Sequence, residues 1–498
     1  MSTNYLDNYY ARLGVSKTAT LDEVRDAFRR AARQLHPDTN KQTAANELFL
    51  QVQEAYDVLT DPSARARYDA SLPDDIDGPP TLMINTLYSR SVVTPSANIQ
   101  NIYVLLDLMA ASGEADTASI RPPINVTLVL DTSTSMAGER LGKVLKAANQ
   151  FIQQLQPYDI LSIVTFNDKA EVIAQPRAGH DSQRLIAQLS SLQTSGGTEI
   201  LQGLKLGIKQ VQQTLNPAYT NQVVLITDGR TYGDEDDCLQ LARKAADAGI
   251  TVSAIGIGEE WNEDFIDALV SSTGGSSLYA ARSSDIQQLV EEKLTSLNQS
   301  YANNVRLQCE LGAGSELTYA FRLSPEAENL GTRSPLPFGN IPLGKSLSVL
   351  LEFQADYTKF KGENEYTLTE GTLHMDIPTR SIPTTKTRFR LSRPIGEVEA
   401  SEGPPQVIVK AIGQLSLYRM QEEARTKIEA GHKEGAAKDL RMLATRLLSS
   451  GEKTLAKTVL LAADEVKDGQ ALGSKSGKQI KYGTRALIQE PHQGLDDS

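Results

Sequence analysis

Asp131-Thr132-Ser133-Thr134-Ser135 sets a carboxylate and two serine hydroxyls on alternate residues, directly after the run Val126–Leu130, apolar but for Thr127. A loop emerging from a buried strand in this way points those oxygens to one side. Hard oxygen donors of this type suit magnesium, which keeps several waters and takes few protein ligands. Two more oxygen sources lie at comparable places. Gly196-Gly197-Thr198 opens a helical pattern over Glu199–Gln213, and Asp228-Gly229 ends the apolar strand Val223–Thr227. In a parallel sheet all three loops reach the carboxyl edge, where α/β folds bind ligands. Asp131 and Asp228 could instead be plain helix caps; the set of five oxygen-bearing side chains argues against that.

A second candidate is His36-Pro37-Asp38, in a short polar break between two amphipathic patterns. Leu21, Val24, Phe28, Ala31 and Leu35 recur at helical spacing before it, and Phe49, Val52, Tyr56 and Leu59 after it. Thr20-Leu21-Asp22-Glu23 is a capping box, and Asp61-Pro62 gives an N-cap with proline at the first helical position. The pattern predicts an antiparallel helical hairpin whose loop displays His36 and Asp38, with Pro37 biasing His36 towards extended backbone. Arg25, Arg29 and Arg33 follow at four-residue steps, so one helical face is basic. With Tyr9-Tyr10, Leu13-Gly14-Val15 and Ala66-Arg67-Tyr68-Asp69, residues 5–71 resemble a J-domain, the co-chaperone module that stimulates the seventy-kilodalton heat-shock ATPase. The resemblance implies that Arg25, Arg29 and Arg33 dock on that ATPase and that His36, Pro37 and Asp38 trigger hydrolysis. Phe28 stands where the family often has tyrosine, which keeps the ring.

The elements that must position these groups fall into several domains. A J-domain over 1–71 is followed by the acidic, proline-rich linker 72–80, Pro73-Asp74-Asp75-Ile76-Asp77-Gly78-Pro79-Pro80 at its centre. Residues 81–121 hold two strands, Leu82–Tyr88 and Ile102–Leu108. Over 122–300 strands and helices alternate, the signature of a doubly wound α/β domain. Its strands are Val126–Leu130, Ile160–Phe166, Ala170–Ala174, Gln222–Thr227, Thr251–Gly256 and Ser277–Ala280; the short hop from Phe166 to Ala170 implies an antiparallel edge strand. Residues 301–400 read as a small β-sandwich, which the strands of 81–121 are expected to complete, with the α/β domain inserted between its pieces. Helices fill 405–468, broken near Gly431 and Gly451, and 469–498 reads as a flexible tail on its Gly473-Ser474-Lys475-Ser476-Gly477-Lys478 stretch.

Residues 122–300 resemble the von Willebrand factor A family, and Asp131, Ser133, Ser135, Thr198 and Asp228 match its metal-ion-dependent adhesion site in the expected strand context. The resemblance implies that Ser133 and Ser135 bind magnesium or manganese directly, that Thr198 joins when ligand is engaged, and that Asp131 and Asp228 act mostly through water. An acidic residue of a partner protein would fill the open coordination position.

One motif misleads. Gly339-Asn340-Ile341-Pro342-Leu343-Gly344-Lys345-Ser346 satisfies the phosphate-loop pattern letter for letter. A phosphate loop needs a buried strand before it and a helix after it. Here Pro335-Leu336-Pro337-Phe338 precedes, and Leu347–Phe353 alternates like a strand. His180, His374, His432 and His492 have no second ligand at metal spacing, and Asp236-Asp237 beside Cys238 would raise rather than lower its thiol pKa.

Composition narrows the classes further. The 498 residues are 40% hydrophobic and carry a formal charge of -12, which argues against nucleic acid as a main partner. No apolar run reaches membrane-span length, no leader layout opens the chain, and two isolated cysteines exclude a disulfide framework or zinc ribbon. A soluble cytoplasmic co-chaperone is expected, itself no enzyme: the A-type domain selects a target through magnesium and the J-domain recruits the heat-shock ATPase to it. Two alternatives remain. One is a scaffold in a multiprotein complex, possibly with a ring ATPase, in which the J-domain is secondary. The other is a nucleotidase at Gly339–Ser346 or a metal hydrolase at Asp131.

Overall fold

The computed structural model describes residues 9–15, 17, 19–35, 43–71, 82–110, 121–230, 233–360, 362, 364–380, 383–397, 403–468, 470 and 472–489. The chain divides into two compact units, one built from Met1–Arg121 and Tyr301–Ala411, the other from Pro122–Ser300 and Ile412–Glu490.

The first unit opens with four helices, α1 (Tyr9–Leu13), α2 (Leu21–Leu35), α3 (Thr43–Thr60) and α4 (Pro62–Ser71). Apolar side chains at helical spacing on α2 and α3 bury Val24, Ala27, Val52, Ala55 and Leu59 around Tyr10 and Leu13. The capping box forms as its residue types require: Glu23 N–H donates to Thr20 Oγ1 at 3.3 Å, and Thr20 N–H donates to Glu23 Oε2 at 2.7 Å. Asp61 caps α4, its Oδ1 accepting from Ser63 N–H at 2.8 Å and Ala64 N–H at 2.7 Å.

The same unit holds a sandwich of two antiparallel sheets. β1 (Leu82–Tyr88) and β2 (Gln100–Ala110) precede the α/β domain in sequence. After it come β9 (Ser300–Leu311), β10 (Ser315–Ser324), β11 (Glu328–Asn329), β12 (Leu336–Pro342), β13 (Leu347–Ala355), β14 (Glu365–Asp376) and β15 (Thr384–Pro394). One sheet runs β1-β2-β13-β10-β11 and the other β12-β9-β14-β15. β2 pairs with β13 from Leu108↔Leu347 to Gln100↔Ala355, so strands from both sides of the insertion share one ladder and one core. The phosphate-loop letters fall on β12 and on the link that carries the chain to β13 in the opposite sheet. Ser346 is followed by a strand, with no helix N-terminus to cradle phosphate.

In the second unit a six-stranded sheet runs β5-β4-β3-β6-β7-β8. Its members are β3 (Ile124–Asp131), β4 (Ile160–Phe166), β5 (Ala170–Ala178), β6 (Thr220–Thr227), β7 (Thr251–Ile257) and β8 (Ser277–Ala280). All neighbours are parallel except β5, which pairs antiparallel with β4 at the edge. Helices α5 (Glu139–Gln154), α6 (Ser182–Ser190), α7 (Ile200–Gln213), α8 (Glu235–Asp247), α9 (Glu263–Ser271) and α10 (Ser283–Ser296) cover two faces with separate cores. Every residue of β3, β6 and β7 is buried, polar ones such as Asn125, Thr127, Asn221, Gln222 and Ser253 included, because helices cover both faces of the sheet. The chain leaves β3 towards β4 and returns on the other side at β6, so the topological switch point lies between β3 and β6.

Four helices close this unit: α11 (Gln406–Glu429), α12 (Lys433–Ser449), α13 (Lys453–Lys467) and α14 (Ser474–Gln489). The last corrects the expectation of a flexible tail over 469–498. Local propensity over Gly473–Gly477 is poor, but tertiary contacts decide the matter. Lys478, at 0% exposure, pairs with Glu263 at 3.2 Å; Lys481 pairs with Asp267 at 2.6 Å; Arg485 pairs with Asp267 at 2.8 Å. Tyr482 packs beside Trp261 and Tyr279. Residues 491–498 of that tail lie outside the described residues. Met420–Arg425 on α11 is charged in sequence but only partly solvated. Gln421 and Ala424 are buried, and Arg425 pairs with Glu263 at 3.2 Å.

This attachment carries a pH signature. Burial would push the Asp267 carboxyl up, but Arg485 and Lys481 outweigh it and hold the group well below the usual carboxylate range. A carboxyl depressed on folding stabilises the docked state above its unfolded pKa of about 3.9, and that stabilisation is lost as pH falls below it. Hydrogen exchange corrected for intrinsic rates is therefore expected to show α14 losing protection between about pH 4 and pH 2, ahead of β3 and β6. Simultaneous loss across all three elements would contradict this.

Candidate functional site

Asp131 is the last residue of β3, and Asp228 directly follows β6, so the switch point sets two carboxylates side by side; both are 0% exposed. Each is held by hydrogen bonds, one local and the others reaching across from the neighbouring strand end. Asp131 Oδ1 accepts from the Ser133 N–H at 2.8 Å, and Asp131 Oδ2 accepts from Thr227 Oγ1 at 2.6 Å. Ser133 Oγ and Ser135 Oγ lie 3.0 Å apart, and Ser135 Oγ donates to Asp228 Oδ1 at 2.6 Å. After one turn of 3-10 helix, Gly138, with φ of 77°, lets the chain enter α5.

The third loop is stitched to the first. Thr134 Oγ1 donates to the Gly196 carbonyl at 3.0 Å, and Ser195 N–H donates to the Thr132 carbonyl at 2.8 Å. Asp168, in the β4–β5 turn, accepts from Gly197 N–H at 2.8 Å and lies so close that a Cβ on Gly196 would meet its Oδ2 at 2.3 Å. Thr198 reaches the second loop: a Cβ on Gly229 would fall 2.6 Å from Thr198 Oγ1. Gly229 thus admits the threonine beside Asp228. All five side chains that the sequence singles out on these loops converge at one sheet edge.

Two groups that the sequence reading passed over belong to the same edge. Asp168 positions the Gly196-Gly197-Thr198 loop, and Arg140, in the first turn of α5, donates through Nη1 to Asp228 Oδ2 and to the Ser135 carbonyl, the latter at 3.2 Å. A lone arginine in a helix reads as solvated; its position nine residues after Asp131 is the only signal, and that spacing means nothing without the strand ends that fold it back.

Burial pushes the Asp131 carboxyl up, hydrogen bonds from Ser133 and Thr227 pull it back, and the charge of Asp228 adds to the rise. Two buried carboxylates need compensating cations or donors. Among the described residues no group of three or more His, Cys, Asp or Glu side chains is placed to hold a metal. The oxygen set at this edge is of another kind, two carboxylates with three hydroxyls, and that chemistry fits a hard divalent cation that retains water. The remaining titratable candidates are inert by environment. Burial, and then Asp234, Glu235 and Asp237, push the Cys238 thiol up to about 12, and burial pushes His180 and His374 down.

In the helical unit Arg25, Arg29 and Arg33 are exposed on α2. Arg25 bonds Asp22 at 3.2 Å and Arg29 bonds Asp26 at 2.7 Å, pairs too solvated to withhold either guanidinium from a partner. His36, Pro37 and Asp38 lie outside the described residues. The frame around them is fixed elsewhere: Tyr10 OH donates to Asp69 Oδ1 at 2.5 Å, Arg65 Nε donates to Tyr10 OH at 2.9 Å, and Arg65 Nη2 donates to the Lys17 and Ala19 carbonyls at 2.8 Å. Burial and the Asp69 bond push the Tyr10 phenol up to about 12. Phe28 stacks on Tyr56 with ring centroids 4.2 Å apart.

Residues 8–69 match the DnaJ domain family, residues 125–292 the von Willebrand factor type A domain family, and residues 406–490 the Sll0103-like, C-terminal alpha-helical domain family. Protein sll0103 of Synechocystis sp. (strain ATCC 27184 / PCC 6803 / Kazusa) is 26% identical over 400 residues, which cover 77% of this chain and 92% of that protein. The chaperone protein DnaJ of Dictyoglomus thermophilum is 53% identical over 62 residues, 12% of this chain; the match spans only 16% of that relative. In fold the chain is similar to a von Willebrand factor type A protein from Catenulispora acidiphila, with TM-score 0.59 and 15% identity over 76% of this chain and 89% of that one. It is also similar to the ArnB paralog VWA2 from Sulfolobus acidocaldarius, with TM-score 0.54 and 15% identity over 82% and 100%. The chain therefore carries a J-domain, an A-type domain and a C-terminal helical domain.

Proposed function

We propose that this chain is a co-chaperone that captures one class of protein through a magnesium-dependent A-type site and brings the seventy-kilodalton heat-shock ATPase to it. The observation that carries this reading is the convergence of Asp131, Ser133, Ser135, Thr198 and Asp228 at the switch point of the sheet, in a chain that also carries a J-domain. Ser133 and Ser135 would hold magnesium or manganese directly, Thr198 on ligand engagement, with Asp131 and Asp228 acting through water. The ion supplies an open position for a carboxylate oxygen of the partner.

In the J-domain, Arg25, Arg29 and Arg33 offer the docking face and His36-Pro37-Asp38 the trigger, so the chain itself hydrolyses nothing. Linking capture to recruitment raises the local concentration of the ATPase at the target without any new contact. No described helix is long and apolar enough to cross a membrane. Cys238 is buried, Cys309 half-buried, and both are free thiols, which fits a reducing cytoplasm as the working compartment.

A scaffold role is the second reading, favoured by α14, whose buried cations fasten the helical domain to α9 of the A-type domain. The two readings share the metal site and differ in whether heat-shock ATPase stimulation is needed. Calorimetric titration of the full chain with magnesium chloride tests the metal: one saturable site is expected, abolished by excess chelator. A flat titration with both magnesium and manganese would overturn metal-dependent capture.

A further inference from the structure

We infer that Arg140 sets the charge of the metal site, so that it favours an acidic partner group while holding its divalent ion less tightly than the carboxylates alone would. This rests on the metal reading proposed above.

Arg140 is placed as a component of the site. Its Nη1 donates to Asp228 Oδ2 and, at 3.2 Å, to the Ser135 carbonyl, so one guanidinium spans two of the converging loops. Its Nη2 packs on the turn after β7, where a Cβ on Gly258 would fall 3.1 Å away. Gly258 has φ of 72°, so a side chain there would both strain the turn and crowd the guanidinium. The Asp228 side chain is fully buried while Arg140 keeps 35% of its side chain exposed, so the pair lies at the margin between buried site and solvent.

The charge count follows directly. Asp131, Asp228 and, at the same edge, Asp168 contribute three negative charges, and a divalent cation alone would leave the cluster with one. Arg140 adds one positive charge that cannot be removed by deprotonation. The loaded site is then neutral rather than negative, so a carboxylate enters without net repulsion, in surroundings of low effective dielectric where such terms are larger than in water. The same guanidinium repels the incoming metal ion and competes for Asp228 Oδ2. A merely structural arginine would, on removal, weaken both metal and ligand together. A charge-setting arginine moves the two in opposite directions.

The test uses the full chain as wild type, Arg140→Gln and Arg140→Lys. Free manganese is measured by electron paramagnetic resonance during titration, and 13C-acetate relaxation on the manganese-loaded protein reports carboxylate coordination. Arg140→Gln is expected to bind manganese on the order of tenfold more tightly, as loss of a nearby like charge predicts, while acetate relaxation falls several-fold. Arg140→Lys, which keeps the charge, should stay near wild type in both. Unchanged constants in Arg140→Gln, or losses in both, would overturn the inference and leave the metal reading standing. No manganese uptake by the wild type would overturn the metal reading and this inference together.

Discussion

His36→Gln in the full chain is expected to lower stimulation of single-turnover ATP hydrolysis by the cognate heat-shock ATPase at least tenfold, to the unstimulated rate, with no change in helical content. Glutamine is close in size and uncharged, and position 36 falls in sequence between α2 and α3, while the described core of the hairpin is built by Val24, Ala27, Val52, Ala55 and Leu59. The fold of the hairpin is fixed by the Thr20–Glu23 box and by the Tyr10–Asp69–Arg65 bonds, none of which involves His36. Magnesium titration of the same variant should match wild type. Equal stimulation by wild type and His36→Gln would remove the J-domain from the mechanism and leave the scaffold reading.

Asp131→Ala is expected to weaken magnesium binding on the order of 10–100-fold, the range for losing a group that orients metal ligands. Asp131 fixes the Ser133 backbone through Oδ1 and the Thr227 hydroxyl through Oδ2, so its removal frees the serine loop and leaves a buried hydroxyl without its acceptor. Asp131→Asn keeps one acceptor oxygen but loses the charge and turns the second acceptor into an amide donor, and should fall between wild type and Asp131→Ala. ATPase stimulation should persist in both variants, because the J-domain belongs to the other compact unit. A titration of Asp131→Ala that overlays wild type would mean that any metal bound lies elsewhere.

Much of this arrangement is legible from residues alone because it rests on short-range chemistry. The largely apolar run before Asp131 reads as a buried strand, the run Val223–Thr227 that ends at Asp228 shares its edge, and Gly196-Gly197-Thr198 opens the helix that leads into that second strand. The phosphate-loop letters at Gly339–Ser346 are unmasked by the same local logic, since Leu347–Phe353 alternates and a helix cannot. What escaped reading depends on partners far away in sequence. Lys478, Lys481 and Arg485 look like charges in a flexible tail until Glu263 and Asp267 are placed opposite them. Arg140 and Asp168 likewise take on meaning only once β6 and the Gly196-Gly197 loop lie against them. Propensity favours a loop over Gly473–Gly477, and tertiary packing overrides it.

The most direct measurement is recovery of bound protein on immobilised full chain from a lysate of the source cell, compared across magnesium, chelator and the Asp131→Ala variant. Metal-dependent capture predicts a defined set of proteins retained by wild type in magnesium, lost in chelator and lost in Asp131→Ala, while His36→Gln retains the same set. The same proteins recovered from wild type in magnesium, wild type in chelator and Asp131→Ala would contradict it and shift capture to the C-terminal helices.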